Sequence, residues 1–373
     1  MFGIAASLAA SGRHVVVGAG GPEPASETVL DEVDGPGSVR YIGLGERPAP
    51  GAPFLAASVE TLLHWGRRTV RWLESQELPP SHVLVHGGQA AYILHLRKWC
   101  RQNDVPLIVD VVDWWNGHHV RGGYFGPLHA SMKLALRHYY PRCDGIIVIS
   151  SYLEDFYRSS GKPILRVPPT LDVKSLPMDA RKGADDSRDL ILVYAGRPYG
   201  NKKDQLGTTI EAVGRLEREG RKIELRVYGP SPNEVRELVR GNAIPKAVRC
   251  FGRVPQTEVA SAVQEADFSV LIRRPDRTSA AGVATKFCES LANGTPVIAN
   301  LTSDMGDFLR HGSEGLVCRD HTVGEVEVAL RIASDMPTSE RRLMRQAARS
   351  QALASFDYRA HSESLGNFLR QWP

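Results

Sequence analysis

Two stretches of the chain gather residue types suited to gripping phosphate. In LILVYAGRPYGNKKD, Leu190 to Asp204, an apolar run ends at Gly196 and delivers Arg197, then Lys202 five residues later, before a helix begins near Asp204. Ligands collect at the carboxyl ends of parallel strands. A guanidinium fork and an ammonium point charge on a Gly-bearing loop suit a diphosphate there, although two solvated loop cations would look the same in isolation. In ATKFCESLANGTPVIANLTSDMGD, Ala284 to Asp307, Thr285 and Lys286 fall where a helix starts, Glu289 follows one turn on, and Gly294 ends the helix. Free amides at such a start, with the helix dipole behind them, hold phosphate oxygens. Glu289 is then placed to accept hydrogen bonds from the vicinal hydroxyls of a ribose. An exposed first-turn Glu that complements the dipole is its plainer reading.

The first half carries a different set. VDVVDWWNGHH puts Asp110 and Asp113 at the end of an apolar strand, followed by Trp114, Trp115, His118 and His119. An acid followed by two aromatics at a strand end suits a carbohydrate platform. The alternative is an aromatic pair sealing the domain and an Asp capping the next turn. His86 and Gly87 at another strand end are weaker candidates, and Arg273, Arg274 and Asp276 could line a sugar pocket or be a solvated loop. VVVGAGG, Val15 to Gly21, begins like a dinucleotide fingerprint, but Pro22 and Pro24 follow and no helix start is available to a pyrophosphate.

The elements that must position these residues alternate between short β-branched runs and longer amphipathic stretches, the pattern of an α/β fold with parallel sheets covered by helices. Strands are expected at His14–Val17, Val39–Gly43, His82–His86, Pro106–Val112, Gly145–Ile149 and Pro163–Val167. A second set follows at Leu190–Ala195, Ile223–Tyr228, Val248–Phe251, Phe268–Ile272, Pro296–Ala299 and Gly315–Cys318. These make two doubly wound units, residues 1–172 and 190–355, joined by a charged linker at 173–189, with a final helix in 356–373 that could pack back on the first. The chain opens on a helix, Gly3 to Ala10, where a doubly wound domain normally opens on a strand, so the first strand of the N-terminal domain is expected to be missing.

Composition bounds the function. With 373 residues, 42% hydrophobic and 24% charged, the chain is neither disordered nor fibrous, and no apolar run reaches the roughly 20 residues that span a bilayer. A formal charge of +4 is too mild for a nucleic-acid binder. Five scattered cysteines give neither zinc spacing nor a disulfide framework and fit a cytoplasmic protein. The Ala-rich start lacks a cationic segment before it and reads as a helix rather than a signal peptide. No Asp-x-Asp metal clamp occurs.

Several of these segments, in order, resemble the GT-B glycosyltransferases, specifically the group 1 or family 4 retaining enzymes. They are AGR with Lys at the fifth position (Gly196, Arg197, Lys202), ELRVYGP (Glu224 to Pro230), FGRVPQTEV (Phe251 to Val259) and TKFCESLANGTPVI (Thr285 to Ile298). In the first half VVDWW (Val111 to Trp115), DGIIVISSYLEDFY (Asp144 to Tyr157) and RVPPTLD (Arg166 to Asp172) resemble it too. The resemblance implies two Rossmann-like domains facing a central cleft, an N-terminal one for the acceptor and a C-terminal one for a nucleotide-sugar donor. It implies that Arg197 and Lys202 bind the donor diphosphate and act in catalysis. Gly196, Thr285 and Lys286 hold phosphate, Glu289 the ribose, and Gly252, Arg253 and Val254 the base. Asp113, the third residue of the catalytic set, stands close to where many relatives have a sugar-binding His, and Trp114, Trp115, His118 and Arg273 are the further acceptor or sugar candidates. The usual first glutamate of the family's pair falls on Ala281, so sugar recognition must differ.

Taken together these expectations describe a retaining transferase with no metal or cofactor, moving a sugar from a nucleoside diphosphate to a glycan or lipid-linked glycan. Arg341, Arg342 and Arg345 suit peripheral contact with anionic lipid, or a solvated helix face. A sugar-nucleotide epimerase on the same fold and an inactive nucleotide-sugar-binding subunit are the alternatives.

Overall fold

In this computed structural model the chain forms two compact units, Met1–Pro168 with Tyr358–Pro373, and Pro169–Asp357. The described residues are 2–372 apart from 22–23, 31–32, 49–50, 115, 118–122, 178–188, 198–202 and 240–242.

Unit 1 holds two sheets. β1 (His14–Ala19), β2 (Pro24–Leu30) and β3 (Ser38–Leu44) lie in the order β1-β3-β2. β4 (Val83–His86), β5 (Leu107–Val111), β6 (Gly145–Val148) and β7 (Ile164–Arg166) lie in sequence order, all parallel. β2 is a strand that apolar periodicity does not reveal. It begins on Pro24, contains Ser26 and Glu27, and pairs antiparallel to β3 at the sheet edge, where a proline and polar residues are tolerated. It also follows VVVGAGG directly, so a strand stands where a dinucleotide fingerprint would need a helix.

The single doubly wound sheet expected for this half is thus divided, with β1 and β4 each terminal in its own sheet. One hydrophobic cluster nevertheless serves both. Leu8, Ile108, Ile147, Leu365 and Phe368 are buried together, with Val15 of β1 and Leu84 of β4 packed against them. The helices Phe2–Ala10 and Ser362–Leu369 supply the cover. The first is mostly small and apolar rather than one-faced, and Ser7 stays satisfied by donating to Gly3 O and Tyr358 O at 2.8 and 2.7 Å.

Unit 2 is one six-stranded parallel sheet. β8 (Leu190–Ala195), β9 (Ile223–Tyr228), β10 (Val248–Gly252), β11 (Phe268–Leu271), β12 (Val297–Asn300) and β13 (Gly315–Cys318) stand in the order β10-β9-β8-β11-β12-β13. Side chains alternate along each strand between two helix-covered faces. Leu190, Leu192 and Tyr194 enter one cluster with Ile210, Val213 and Leu330, while Val193 enters another with Ala262 and Val263. The chain begins at the centre, runs outward to β10 and returns beside β8. The reversal of direction lies between β8 and β11, where the outgoing loops diverge and leave a crevice.

The stretch expected to open the linker is partly fixed. Val173 is fully buried, its N–H donating to Asp357 Oδ2 at 3.1 Å. The buried Arg349 guanidinium donates to Ala292 O, to Val173 O at 2.7 Å and to Leu176 O at 3.0 Å. Removing it takes a hydrogen bond from a charged donor away from each of these three carbonyls, at about 1–3 kcal/mol each before relaxation. Arg349→Ala is expected to lower the melting temperature by several degrees, at roughly 2–4 °C per kcal/mol for a unit of this size. Calorimetry showing no change would mean these bonds do not hold 173–176 in place.

Candidate functional site

The crevice of unit 2 is built around one buried carboxylate. Asp204 is 1% exposed and lies just before the helix Leu206–Arg218. It accepts from Tyr194 Oη at 2.9 Å and from Arg273 Nε at 3.1 Å, and is ion-paired with Lys286. Asp204 and Arg273 also form an isolated antiparallel bridge, and Gln205 N–H donates to Ile272 O at 2.7 Å. Asn300, at the end of β12, clamps the Arg273 backbone, accepting from its N–H and donating to its carbonyl, both at 2.8 Å. The loops after β8 and β11 are therefore tied together at the switch point.

Burial works against the charge on Asp204, but Lys286 and Arg273 together outweigh it and hold the carboxyl below the ordinary aspartate value. Burial lowers the Lys286 ammonium from the usual lysine value, and Asp204 opposes that. The ammonium lies 4.6 Å from the Tyr194 ring centroid and crosses above Gly196, where any Cβ would collide with it. Gly196 has φ +149° and Gly229 φ +113°, and a Cβ on Gly229 would strike the Gly196 carbonyl. With the Gly196 N–H on Tyr228 O at 3.0 Å and the Gly229 N–H on Gly252 O at 2.7 Å, the ends of β8, β9 and β10 form a floor of bare backbone.

Around that floor stand the other residues anticipated for the donor. Arg197 follows Gly196 and is exposed, while Lys202 lies outside the described residues. Thr285 is the exposed first residue of the helix Thr285–Ala292, whose start at Ala284 has no side-chain cap, so its leading amides point outward. Glu289 is exposed one turn on, yet its surroundings desolvate it and raise its pKa, against the pull of Lys286. Gly252 has open space beside it, Arg253 is exposed, and Val254 packs against the cluster of Val193 and Ala262.

Residues behind three expectations are engaged elsewhere in this unit. Arg273 is 4% exposed and engaged with Asp204, so the sugar contact anticipated for it is not open to a side chain buried this way. Of the arginines considered for anionic lipid, Arg341 donates to Met336 O at 3.0 Å, and Arg345 donates to Ala266 O and Gln264 O at 2.8 Å. Asp276, also weighed for the sugar, caps the short helix Arg277–Ala281 by accepting from Ser279 N–H at 2.8 Å.

In unit 1 the carboxyl ends of β4 and β5 bring His86 and Asp110 together. Asp110 is buried, and its Oδ2 is 2.6 Å from His86 Nδ1, fixing the ring and leaving Nε2 as the free nitrogen of the pair. Gly87 N–H donates to Asp110 O at 2.8 Å, and Tyr140 Oη donates to Gly88 O at 2.6 Å. Gln89 then starts the helix Ala90–Gln102, and its buried Oε1 has no partner among the described residues. Asp113, half-buried, lies two residues beyond β5. Trp114 packs edge-on against Phe156 and Tyr152 at centroid distances of 5.1 and 6.1 Å, with Arg137 5.9 Å from its ring. It is held in an aromatic cluster rather than set out as a free platform. Trp115, His118 and His119 lie outside the described residues.

In sequence Asp204 reads only as a helix start, and His86 as a weak candidate at a strand end. Little local marks either, since the cationic partners of Asp204 lie 69 and 82 residues away and the partner of His86 lies 24 away.

Comparison with known proteins joins these observations. Residues 189–335 match the family described as "Glycosyl transferases group 1", and residues 2–170 match the "Glycosyl transferase 4-like domain". A glycogen synthase of Mycobacterium tuberculosis is 24% identical over 95% of this chain and 86% of its own length. Among solved structures, a sucrose-phosphate synthase from Thermosynechococcus elongatus matches with TM-score 0.73 and 18% identity, over 99% of this chain and 91% of its own. Anabaena HepE, solved with UDP and glucose, matches with TM-score 0.62 and 13% identity, over 90% of this chain and 86% of its own. At such identities the two structures speak for the GT-B fold. With both halves matched to glycosyltransferase families, the chain belongs to the group 1 glycosyltransferases and is a glycosyltransferase enzyme.

Proposed function

We propose that the chain transfers a sugar, with retention of anomeric configuration and without a divalent ion, from a nucleoside-diphosphate donor to a glycan or lipid-linked glycan. The observation that carries this reading is the switch-point crevice of unit 2, with its backbone floor, outward amides at Thr285 and anchored Lys286. HepE, solved with UDP and glucose, supports a uridine donor as the first to test.

In this reading the amides at Thr285 and the Arg197 guanidinium, with Lys202, receive the diphosphate. As the bond from the anomeric carbon to the phosphate oxygen breaks, these preorganised donors stabilise the charge on the leaving group. The acceptor oxygen forms its bond on the same face and passes its proton to the departing phosphate oxygen. Glu289 holds the ribose, and the backbone at Gly252 to Val254 borders the base. Asp113 contacts the sugar, and His86, oriented by Asp110, offers Nε2 to a hydroxyl.

Arg197→Ala is expected to lower kcat by about 10²–10³-fold, the usual cost of losing one preorganised donor to developing charge. Full activity in that variant overturns the assignment. Chelation of divalent ions should leave the rate unchanged, and loss restored by magnesium would refute the metal-free part.

Because Glu289 has a raised pKa, its carboxylate form is present above that value and is lost as pH falls through it. Nucleotide affinity, measured by titration calorimetry, should therefore weaken on the acid side, and Glu289→Gln should flatten the profile. An unchanged profile in the variant would remove Glu289 from ribose binding.

Asp204→Asn leaves Arg273 and Lys286 with their common anion removed. It is expected to cost about 3–5 kcal/mol of unit 2 stability, the range for breaking a buried ion pair. A denaturant midpoint equal to wild type would show that the network does not hold the crevice.

A further inference from the structure

Unit 1 contains a cation-rich recess at the end of the β4–β7 sheet opposite His86 and Asp110. A cavity of about 180 Å³ is bordered by Arg97, Arg101, Arg142 and Lys162, with Asp144 as the one acidic side chain among its lining residues. Leu107, which opens β5, also lines it, and Asp144 immediately precedes β6. The length of β5, about 13 Å at 3.3 Å per residue, separates this end from the carboxyl edge.

The charges here are poorly compensated. Asp144 Oδ2 already accepts from Leu107 N–H at 2.9 Å. Arg97 and Arg101 stand one turn apart on the helix Ala90–Gln102, a spacing at which like charges repel. The negative end of that helix accounts for Arg101 but not for the other three cations. Arg142 donates to His138 O at 2.6 Å, and Arg97 Nε donates to Arg142 O at 3.3 Å. Both guanidinium planes are thus steadied, while most of their N–H groups remain available. Among the described residues, neither the Arg101 guanidinium nor the Lys162 ammonium has a carboxylate partner.

The volume limits what could enter. It is below the roughly 300–1,000 Å³ of pockets for drug-sized ligands, yet several times the about 30 Å³ of one water. A small tetrahedral oxyanion meets both limits, and the four cations bordering the recess suit that ion's charge. We propose that this recess binds a phosphate dianion, free or as the head of a small soluble phosphomonoester. Cys100 and Cys143 also line it, and burial pushes both thiols up to about 12, so they stay neutral and add no repulsion.

Thermal unfolding of the full chain in inorganic phosphate, against chloride at equal ionic strength, tests the site. The wild type, and Arg197→Ala with its altered cation in the other unit, should gain melting temperature saturably across the millimolar range. Arg101→Ala/Lys162→Ala should melt like wild type in chloride but bind phosphate at least about tenfold more weakly, one charge-assisted hydrogen bond or more being lost. Glycerol phosphate separates the two forms. A gain with it as well as with phosphate assigns the monoester class, and a gain with phosphate alone assigns the free ion. A full phosphate gain retained in the double variant, or no phosphate-specific gain in wild type, overturns the proposal.

Discussion

Unit 2 depends on the cost of burying Asp204. A carboxylate removed from water and left unpaired is penalised by several kcal/mol, so a fold that places it under the sheet's carboxyl edge must also deliver cations. Arg273 comes from the loop after β11 and Lys286 from the helix Thr285–Ala292, while Tyr194 adds its hydroxyl from β8. Three segments distant in sequence are brought to one point, the one where the sheet reverses direction. Gly196 is part of the same constraint, because a side chain there would occupy the path of the Lys286 ammonium.

Around this anchor, the catalytic reading uses what helices and strands leave unsatisfied. Parallel strands end in loops rather than tight hairpins, and the helices between them start at the same edge with free amides. The bare backbone at Gly196 and Gly229 lets the strand ends approach closely, and the uncapped start at Ala284 directs donors toward the same side. Much of the polar chemistry of the crevice therefore comes from backbone geometry that only small residues permit, alongside the exposed Arg197, Arg253 and Glu289.

How far this was legible depended on the distance over which each signal acts. Strands such as Leu190–Ala195 and Gly145–Val148 announce themselves because burial on both faces demands unbroken β-branched runs. β2 does not, since an edge strand with Pro24, Ser26 and Glu27 carries no apolar pattern. Segment 284–294 was readable as a helix with a Gly stop because cap, body and terminus are contiguous. Arg273 looked like a loop charge beside Arg274, Pro275 and Asp276, and only Asp204, 69 residues away, turns it into a buried structural cation. Likewise, Trp114 reads as a platform until Phe156 and Tyr152 enclose it.

The network also alters what Lys286 can contribute. A lysine at a helix start is naturally read as a point charge for phosphate, but here its ammonium is engaged by Asp204 before any ligand arrives. Lys286 and Arg273 bring two positive charges and Asp204 one negative, so the buried group presents a single net positive charge beneath the floor. In the proposed reaction it acts on an incoming diphosphate as a fixed background field, strengthened by low local polarity and little screened by salt. Directional recognition in that reaction falls to the helix amides at Thr285 and the exposed Arg197 guanidinium. The division has a physical advantage: the side chains that would need to reorganise around developing charge are already held by hydrogen bonds, and the reaction meets dipoles that do not have to move.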